Sequence, residues 1–242
     1  MTELPQMEYD LATVVSNEDL GPAGCRIRTH IKASPSRLPN PGQFAMLRPE
    51  AGAEAIYLSR PISYLDAQVV DSETIELVFY IKTYGAGSSA LVKSKPGDRL
   101  IHLGPLGTGF PKQMEHVWLV GGGVGIAPFF HLSHEIRRKG GAPVSFRLFY
   151  GGRSNADLPF LDELEQVVDV VHTSTEDGSH GSSGFVTVPL EDQLKVHDTQ
   201  NTDFQIYTCG PTPMMKAVAS LAHNHNRQCL VSLETRMACG YG

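Results

Sequence analysis

The sequence is poor in several features that mark common classes of protein. Its 242 residues hold one tryptophan and four cysteines, and no two cysteines form a C-x-x-C pair. It has no basic block of the kind that contacts nucleic acid, and its net charge is −6 with neutral histidines, so we expect no nucleic-acid partner. The histidines form neither an H-x-x-x-H nor an H-E-x-x-H pattern, which gives a zinc hydrolase no support.

Long apolar runs are also missing. The longest is much shorter than the roughly 20 residues that a helix needs to cross a bilayer. The first ten residues, MTELPQMEYD, contain no signal-peptide core. We therefore expect a cytoplasmic protein without membrane contact, in which Cys25, Cys209 and Cys229 are reduced thiols.

The first half of the chain has the pattern of short strands separated by turns. Gly-Pro, Pro-Asn-Pro and Pro-Gly pieces interrupt its apolar stretches. This spacing predicts an antiparallel β-barrel over residues 1–110, with one short helix that follows the small residues 85–88. The predicted strands cover residues 9–15, 24–32, 43–47, 60–66, 74–82 and 98–103.

The second half changes rhythm after a polar break at residues 111–113. Apolar strands there alternate with helical patterns, which predicts a parallel sheet covered by helices on both faces over residues 111–234. Residues 180–183 are predicted to be a flexible loop. The predicted strands cover residues 117–120, 144–150, 168–172, 204–209 and 229–233.

The stretch that organises the second half is VWLVGGGVGIAPFF, residues 117–130. Four apolar residues lead into clustered glycines and then into helical periodicity, which predicts a strand, a tight turn and a helix. Backbone without side chains and the unpaired N–H groups of a helix start can hold a phosphate. A glycine-rich turn that binds no ligand is the alternative. Ile126 replaces the last glycine of the usual dinucleotide fingerprint, so the motif follows another pattern. The glycines are Gly121, Gly122, Gly123 and Gly125.

Two motifs of the first half contain groups that suit a nucleotide. In Arg60-Pro61-Ile62-Ser63, the guanidinium can clamp phosphate oxygens and the hydroxyl can donate or accept a hydrogen bond. The stretch from Lys82 to Ser88 passes from a strand through small residues into a helix, which predicts a second anion seat. The alternative for Arg60-Pro61-Ile62-Ser63 is a surface arginine followed by a turn proline that bind no ligand.

Two more motifs follow predicted strands. Residues 104–107, GPLG, end the barrel half and could line its boundary, or could form a plain turn. Residues 208–211, TCGP, follow the fourth strand of the α/β half, at the carboxyl edge where open parallel sheets bind ligands. Cys209 is therefore expected beside the glycine turn, and a buried structural thiol is the alternative.

Together these motifs resemble a known family. RPIS, GAGS, GPLG, GGGVGIAPFF, FYGGRS and TCGP occur in the order and approximate spacing of the ferredoxin-reductase superfamily, over essentially the whole chain. The closing SLETRMACG, residues 232–240, resembles the electron-transfer subunit of the two-subunit, NAD-linked dihydroorotate dehydrogenases. The resemblance implies an FAD-binding barrel followed by an NAD-binding α/β domain.

The resemblance also assigns roles to residues of the barrel half. Arg60 would hold the FAD pyrophosphate, and Ser63 would hydrogen-bond the flavin near N5. Many relatives have tyrosine at Ile62, so Tyr64 or Tyr84 could supply the missing aromatic contact. Pro61, Ile62, Ile81 and Lys82 would line the isoalloxazine ring, and Gly85, Gly87 and Ser88 would seat the flavin phosphates.

In the α/β half, the resemblance implies that the glycine turn and the TCGP motif accept the diphosphate and nicotinamide of NADH. Hydride transfer needs positioning rather than a strong acid or base, so we expect no catalytic residue beyond those that position the cofactors. Ser63 and Cys209 are the nearest candidates. The NAD-binding candidates are Gly121, Gly122, Gly123, Gly125, Cys209, Gly210 and Pro211.

Relatives continue from the CG of MACG into further cysteines that bind a [2Fe–2S] cluster. Here Cys239 is followed by only three residues, so residues 235–242 are expected to be the start of an incomplete iron–sulfur segment. Cys239 is the single remaining ligand candidate. A cluster is not expected to assemble on this chain alone.

The resemblance implies an electron-transfer subunit that links NAD(H), through FAD and a [2Fe–2S] cluster, to the FMN of a dihydroorotate dehydrogenase catalytic subunit. Dihydroorotate would be oxidised to orotate, and the electrons would leave to NAD⁺. Alternatives are an FAD/NAD(P)H subunit of a hydrogenase, a sulfur reductase or a ferredoxin:NADP transhydrogenase. A non-catalytic nucleotide-binding or scaffolding subunit is the alternative from another class.

Overall fold

The computed structural model describes residues 9–50, 58–111, 115–140, 144–198 and 203–233. The chain divides into two compact units, and the division between them falls after Phe110 and before Pro111. Among the described residues, no helix has both the length and the apolar character needed to span a bilayer. Cys239 and the predicted iron–sulfur segment lie outside the described residues.

The first unit is a closed six-stranded barrel in the order β1-β2-β5-β4-β3-β6, and every neighbouring pair is antiparallel. Its strands alternate buried and exposed residues. In β2 every second residue points inward and is buried, namely Cys25, Ile27, Thr29 and Ile31, while the residues between them are partly exposed. The predicted antiparallel barrel is confirmed. Its elements are β1 (Tyr9–Asp19), β2 (Cys25–Lys32), β3 (Phe44–Pro49), β4 (Arg60–Val69), β5 (Thr74–Ile81), α1 (Ala86–Val92) and β6 (Arg99–Leu106).

A polar pair lies inside the barrel core. The Tyr64 hydroxyl is 2.8 Å from Nε2 of His102, and both side chains are fully buried beside Phe79. Burial raises the pKa of Tyr64 well above its usual value. Burial, followed by the charge of Arg37, lowers the pKa of His102 to about 4. Both groups are therefore neutral at pH 7, and their hydrogen bond offsets the cost of burying them.

The lowered pKa of His102 predicts a fall in stability on mild acidification. In the unfolded chain histidine titrates near 6.5, so between pH 6.5 and 4 the unfolded state binds the extra proton. The stabilisation is complete above pH 6.5, and about 3 kcal/mol of it is lost as the pH falls to about 4. Urea unfolding at a series of pH values measures this.

His131 is the appropriate comparison for this measurement. It is also buried, and burial, followed by nearby cationic groups, lowers its pKa to about 3, so it titrates over the same range. A His102→Gln variant should therefore lose the contribution of His102 and keep that of His131. An identical pH profile for the variant and the unaltered protein would contradict the assignment to His102.

The second unit is a six-stranded parallel sheet in the order β10-β9-β8-β7-β11-β12, which confirms the predicted parallel sheet. Helices cover both of its faces. Trp118 and Val120 pack under α4 and α5, whereas on the opposite face Phe129 of α2 lies against Gly121. The elements are β7 (His116–Gly122), α2 (Ala127–Lys139), β8 (Ser145–Gly152), α3 (Leu161–Glu165), β9 (Val170–Thr175), β10 (Ser182–Ser183), α4 (Thr187–Asp198), β11 (Gln205–Cys209), α5 (Thr212–Asn224) and β12 (Cys229–Val231).

Two predictions for the stretches around β9 and β10 were wrong. The strand predicted over residues 168–172 begins at Val170, because the N–H groups of Val167 and Val168 donate to the carbonyl of Leu164 at the end of α3. The stretch predicted as a flexible loop, residues 180–183, ends in β10, where Ser182 and Ser183 pair with β9. A two-residue strand rich in serine has no apolar alternation that would reveal it.

Candidate functional site

Arg60 lies against the first turn of α1. It begins β4 opposite Leu47, and its Nη1 donates to the carbonyls of Leu58 and Ser59 at 3.1 and 3.3 Å. A Cβ added at Gly87 would lie 2.7 Å from the Arg60 Cζ, so the absence of a side chain at Gly87 makes room for the guanidinium. In the described part of the chain, no carboxylate pairs with Arg60, which leaves its charge available to an anion.

The turn before α1 is built by Ser88. Its hydroxyl accepts hydrogen bonds from the N–H groups of Tyr84 and Gly85 at 2.8 and 3.1 Å, and donates to the Gly85 carbonyl at 3.1 Å. Ser88 therefore fixes the shape of the turn with its side chain. Gly85 itself has open space around the position of a Cβ. The predicted phosphate-seat residues and Arg60 are thus brought together in one place.

The residues predicted to line a flavin ring differ in what they expose. Ile81 is 1% exposed and belongs to the barrel core, so only its backbone faces outward. Ile62 packs partly against the same core. Pro61 and Ser63 alternate with Ile62 along β4 and are half-buried, as is Lys82 just after β5.

Of the two tyrosines considered as aromatic substitutes for Ile62, the structure eliminates one. Tyr64 is fully buried in the barrel core and its hydroxyl contacts His102, so its ring cannot stack on a ligand outside the barrel. Tyr84 is 75% exposed and remains a candidate.

The stretch 104–107 is a strand end rather than a plain turn. Gly104 and Leu106 belong to β6 and are buried. A Cβ at Gly104 would overlap the Tyr64 hydroxyl and lie 3.2 Å from Nε2 of His102. Gly104 is therefore required by the buried Tyr64–His102 pair, which sequence reasoning missed.

In the second unit, the glycine turn and the TCGP motif are adjacent. Strands β7 and β11 pair in parallel with Gly121 opposite Cys209, so their carboxyl ends lie side by side. A Cβ added at Gly125 would overlap the carbonyl oxygen of Cys209 and lie 2.6 Å from the Gly210 nitrogen. The two loops therefore touch backbone to backbone, and this contact requires glycine at position 125.

The other glycines of this edge have different roles. A Cβ at Gly122 would lie 2.8 Å from Sδ of Met214, and one at Gly210 would lie 2.8 Å from the Gly122 carbonyl. Gly210 also has a φ of +147°. Gly123, by contrast, has a φ of +57° and nothing within 4 Å of its added Cβ, so it alone of the turn borders open space. The structural role of Met214 in this packing was not predicted.

Cys209 and Pro211 flank the second loop. Cys209 is buried at the end of β11 and forms no disulfide, whereas Pro211 is exposed and precedes α5. Because Cys209 is buried, its side chain packs inside the unit and offers little surface to a ligand. The backbone of residues 209–211 is the part of this motif that borders the edge.

The described residues do not form a metal or cluster site. No group of three or more His, Cys, Asp or Glu side chains able to hold a metal ion occurs among them. Burial, followed by the charge of Asp19, raises the pKa of Cys25 to about 12, and burial raises that of Cys229 to about 11. These two cysteines are therefore protonated thiols at neutral pH.

Comparison with known proteins defines the class. Residues 119–220 match the family Oxidoreductase NAD-binding domain. The fold is similar to that of an NADH-dependent reduced ferredoxin-NADP oxidoreductase, studied for flavin-based electron bifurcation, with a TM-score of 0.74 and 27% identity over 96% of this chain and 79% of the other. A closed barrel followed by a parallel α/β unit with this match is a ferredoxin reductase-like flavin oxidoreductase.

Curated relatives narrow the class. The electron transfer subunit of dihydroorotate dehydrogenase B (NAD(+)) from Shouchella clausii is 38% identical over 84% of this chain and 73% of its own length. The electron transfer subunit homolog from Aquifex aeolicus is 36% identical over 84% of this chain and 74% of its own length. The chain belongs to the family of dihydroorotate dehydrogenase B electron-transfer subunits. The resemblance inferred from the motifs is confirmed.

Proposed function

We propose that this protein transfers electrons between NAD(H) and the FMN of a partner subunit by way of a bound FAD, and that the partner oxidises dihydroorotate to orotate. Membership of the family supports the reaction. The observation that carries the proposal is the position of Arg60 against Gly87 in the first turn of α1. Arg60 has no carboxylate partner among the described residues.

The barrel residues fit an FAD pyrophosphate. The Arg60 side chain presents a planar set of donors, and phosphate oxygens match that geometry in pairs. Gly87 keeps the space around the guanidinium free of side-chain atoms. The first N–H groups of a helix lack acceptors within the helix, and Ser88 holds the turn so that they keep their orientation. The Arg60 guanidinium and these backbone N–H groups would jointly bind the two phosphates of FAD.

The edge of the sheet fits a nicotinamide dinucleotide. Parallel sheets bind such ligands beyond the carboxyl ends of their strands, and the glycine turn and residues 209–211 lie there side by side. Gly123 leaves open backbone for the diphosphate, while the contact of Gly125 with Cys209 fixes the distance between the two loops. These residues would bind and orient the coenzyme rather than react with it.

The chemistry itself belongs to the cofactors, which when bound would supply hydride transfer between nicotinamide and flavin. The chain's own residues position the two ligands, and none has to act as a strong acid or base. Ser63, half-buried beside Ile62 on β4, has the hydroxyl assigned to the flavin edge near N5. There the hydroxyl would donate a hydrogen bond to the flavin or accept one from it.

NADH is proposed as the coenzyme rather than NADPH. Arg153, at the end of β8, is the arginine placed to meet a 2′-phosphate, and its Nε lies 3.7 Å from the carboxylate of Asp157. The carboxylate offsets the cation and would repel a phosphate. The neighbouring acids Glu176 and Asp177 donate their N–H groups to the carbonyls of Gly152 and Arg153, which holds them near the same loop.

A [2Fe–2S] cluster does not fit the described residues, because Cys25 and Cys209 are buried in separate units and no cysteine cluster is present among them. Cys239 stays a candidate ligand in the proposal, and no electron-transfer step is derived through a cluster. The partner is proposed to be an FMN-containing catalytic subunit of dihydroorotate dehydrogenase, and the location to be cytoplasmic.

One alternative has support of its own. The likeness to an NADH-dependent reduced ferredoxin-NADP oxidoreductase favours an equivalent electron-transfer subunit that serves a ferredoxin-linked partner. Purification of the complex from its source distinguishes the two. An FMN-containing dihydroorotate dehydrogenase subunit in the complex supports the first function, and a cluster-rich partner supports the second.

The purified protein tests the proposal directly. We expect it to take up FAD, to become yellow and to oxidise NADH with ferricyanide as acceptor, with a lower kcat/KM for NADPH. Protein that stays colourless after reconstitution with FAD would remove the proposal. Flavin uptake without NADH oxidation would leave only a non-catalytic binding subunit.

A further inference from the structure

A cavity of about 210 Å³ lies at the amino edge of the parallel sheet in the second unit. His116, Ser145 and Val170, which line it, are the first residues of β7, β8 and β9. The glycine turn lies at the other end of β7, about 20 Å away for a strand of this length. The cavity is therefore separate from the proposed coenzyme edge. Its lining residues are His116, Trp118, Ser145, Phe146, Arg147, Val170 and His197.

Arg147 gives the cavity its charge. The guanidinium lies 5.3 Å from the centre of the Trp118 ring, and Nη1 donates to Oε1 of Gln193 and lies 3.4 Å from Nε2 of His172. Burial lowers the pKa of Arg147. Within the described ranges of the chain, no carboxylate pairs with it. A partly desolvated arginine usually has an anionic partner, and here none of the described side chains supplies one.

His197 adds a hydrogen-bonding group without a partner. Its ring stands edge-on to Trp118 with centres 4.9 Å apart, and its buried Nδ1 has no hydrogen-bond partner in the part of the chain that is described. Burial, followed by the charges of Arg147, Arg227 and His116, lowers the pKa of His197. The field around its ring is therefore positive.

No acid neutralises this field from the cavity wall, because none of the lining residues is Asp or Glu. The next residue after His197, Asp198, is engaged elsewhere: its carboxylate lies 2.6 Å from Nδ1 of His225 and 3.5 Å from Nη2 of Arg227. The cavity thus combines a partly desolvated cation, a positive field and an aromatic wall. These are the features of an anion site.

We propose that this cavity binds a compact oxyanion of the phosphate type, with the guanidinium of Arg147 as its charge partner and the rings of Trp118 and His197 as part of its wall. The planar guanidinium can meet two phosphate oxygens at once. The volume holds a free phosphate or a small phosphate monoester. The ligand is distinct from the two dinucleotides of the proposed function.

The aromatic wall provides the measurement. Trp118 is the only tryptophan of the chain, is 3% exposed and lines this cavity, so a ligand in the cavity should change its fluorescence. The FAD-loaded protein is titrated with inorganic phosphate, and separately with methyl phosphate, while sodium chloride keeps the ionic strength constant. We expect a saturable change in Trp118 emission, with the same phosphate constant in the presence and absence of NAD⁺. Tighter binding of methyl phosphate would identify an ester as the preferred source.

Two variants test the residues. Arg147→Gln should weaken phosphate binding at least tenfold, whereas Arg138→Gln, which removes an exposed cation on α2, should leave the binding constant unchanged. Arg147→Lys retains the charge but loses the planar pair of guanidinium donors, so we expect a phosphate binding constant between those of the parent and the glutamine variant. The lysine variant also serves as the test if the glutamine variant fails to fold. Phosphate should also raise the Tm of the unaltered protein, should raise that of Arg147→Lys less, and should raise that of Arg147→Gln least.

The proposal is overturned if phosphate changes neither the Trp118 emission nor the Tm of the unaltered protein. It is equally overturned if the Arg147 variants bind phosphate as tightly as the Arg138 variant does. Competition between phosphate and NAD⁺ would show that phosphate binds at the coenzyme edge instead, and would likewise reject this site.

Discussion

An Arg60→Gln variant is expected to be purified with little bound flavin and to oxidise NADH very slowly until FAD is added in large excess. Arg60 is the cation that the barrel presents to the proposed FAD pyrophosphate, with no carboxylate partner among the described side chains. A hydrogen bond to a charged group contributes about 1.5–3 kcal/mol, so its loss should weaken FAD binding by roughly 10- to 150-fold.

The expected loss is one of binding and not of folding. Among the described residues, the Arg60 guanidinium donates to the carbonyls of Leu58 and Ser59 at the edge of the barrel. Glutamine at position 60 leaves the buried core of the barrel intact. The Tm of the flavin-free variant should therefore equal that of the flavin-free parent, while FAD should raise the Tm of the variant less.

Gly87→Ala tests the same contact from the other side. The added methyl group would lie 2.7 Å from Cζ of Arg60, and because the guanidinium is the end of a flexible side chain, the arginine would be displaced rather than the helix. We expect FAD binding to weaken about tenfold, in line with the loss of one charge-assisted hydrogen bond.

Arg28→Gln is the matched control for Arg60→Gln. Arg28 lies on β2 and pairs with Glu76 at 3.0 Å, so the substitution also removes one barrel arginine. The control should retain its flavin. Equal flavin loss in the Arg28 and Arg60 variants would show that a general change in charge, and not the contact with Gly87, controls FAD binding.

The barrel and the sheet could be predicted from the sequence because each strand has its own local pattern. Alternation in β2 and the apolar run of β7 are visible within a few residues. The ends of the strands could not be predicted so well. Strand β1 continues to Asp19, well past the predicted end at Val15, because it pairs with β2 through a bulge between Val14 and Ser16.

Pairs of distant residues could not be predicted from local pattern. The hydrogen bond between Tyr64 and His102 depends on the register of barrel strands that are far apart in sequence. Sequence reasoning left Tyr64 open as a ring-stacking residue, since an aromatic next to RPIS gives no indication of the direction in which it points. The cavity around Arg147 was missed for the same reason: its residues come from three strands and a helix.

The glycine turn shows the limit within a single motif. The pattern predicts that glycines end β7, but it does not separate a glycine that opens backbone to a ligand from one that allows two loops to touch. Gly123 is of the first kind and Gly125 of the second. The difference depends on the pairing of β7 with β11, which places Cys209 opposite Gly121.

This difference gives the second large expected effect. Gly125→Ala should lower kcat/KM for NADH about 100-fold or more, because the added methyl group meets the backbone of Cys209 and Gly210, which cannot rotate away as a side chain can. The loops at the ends of β7 and β11 must then separate. A displacement of about 1 Å at a positioning site can cost about 100-fold in rate.

Gly123→Ala is the matched comparison in the same turn. It adds the same methyl group with nothing within 4 Å, so its cost is the left-handed backbone, about 1–2 kcal/mol for a residue other than glycine. We expect its Tm to fall by a few degrees and kcat/KM for NADH to stay within about tenfold of the parent. Similar losses in both variants would reject the loop contact as the cause.

Flavin content separates this defect from unfolding of the whole chain. The Arg60 cradle and the Gly125 contact belong to different compact units, so Gly125→Ala should keep its FAD while it loses NADH oxidation. Arg60→Gln should show the reverse pattern, with NAD⁺ binding preserved and flavin lost. Because each variant retains the ligand that the other loses, one FAD titration and one NAD⁺ titration of both variants test both binding sites. A Gly125→Ala protein that loses FAD and NAD⁺ together would contradict the assignment of one cofactor to each unit.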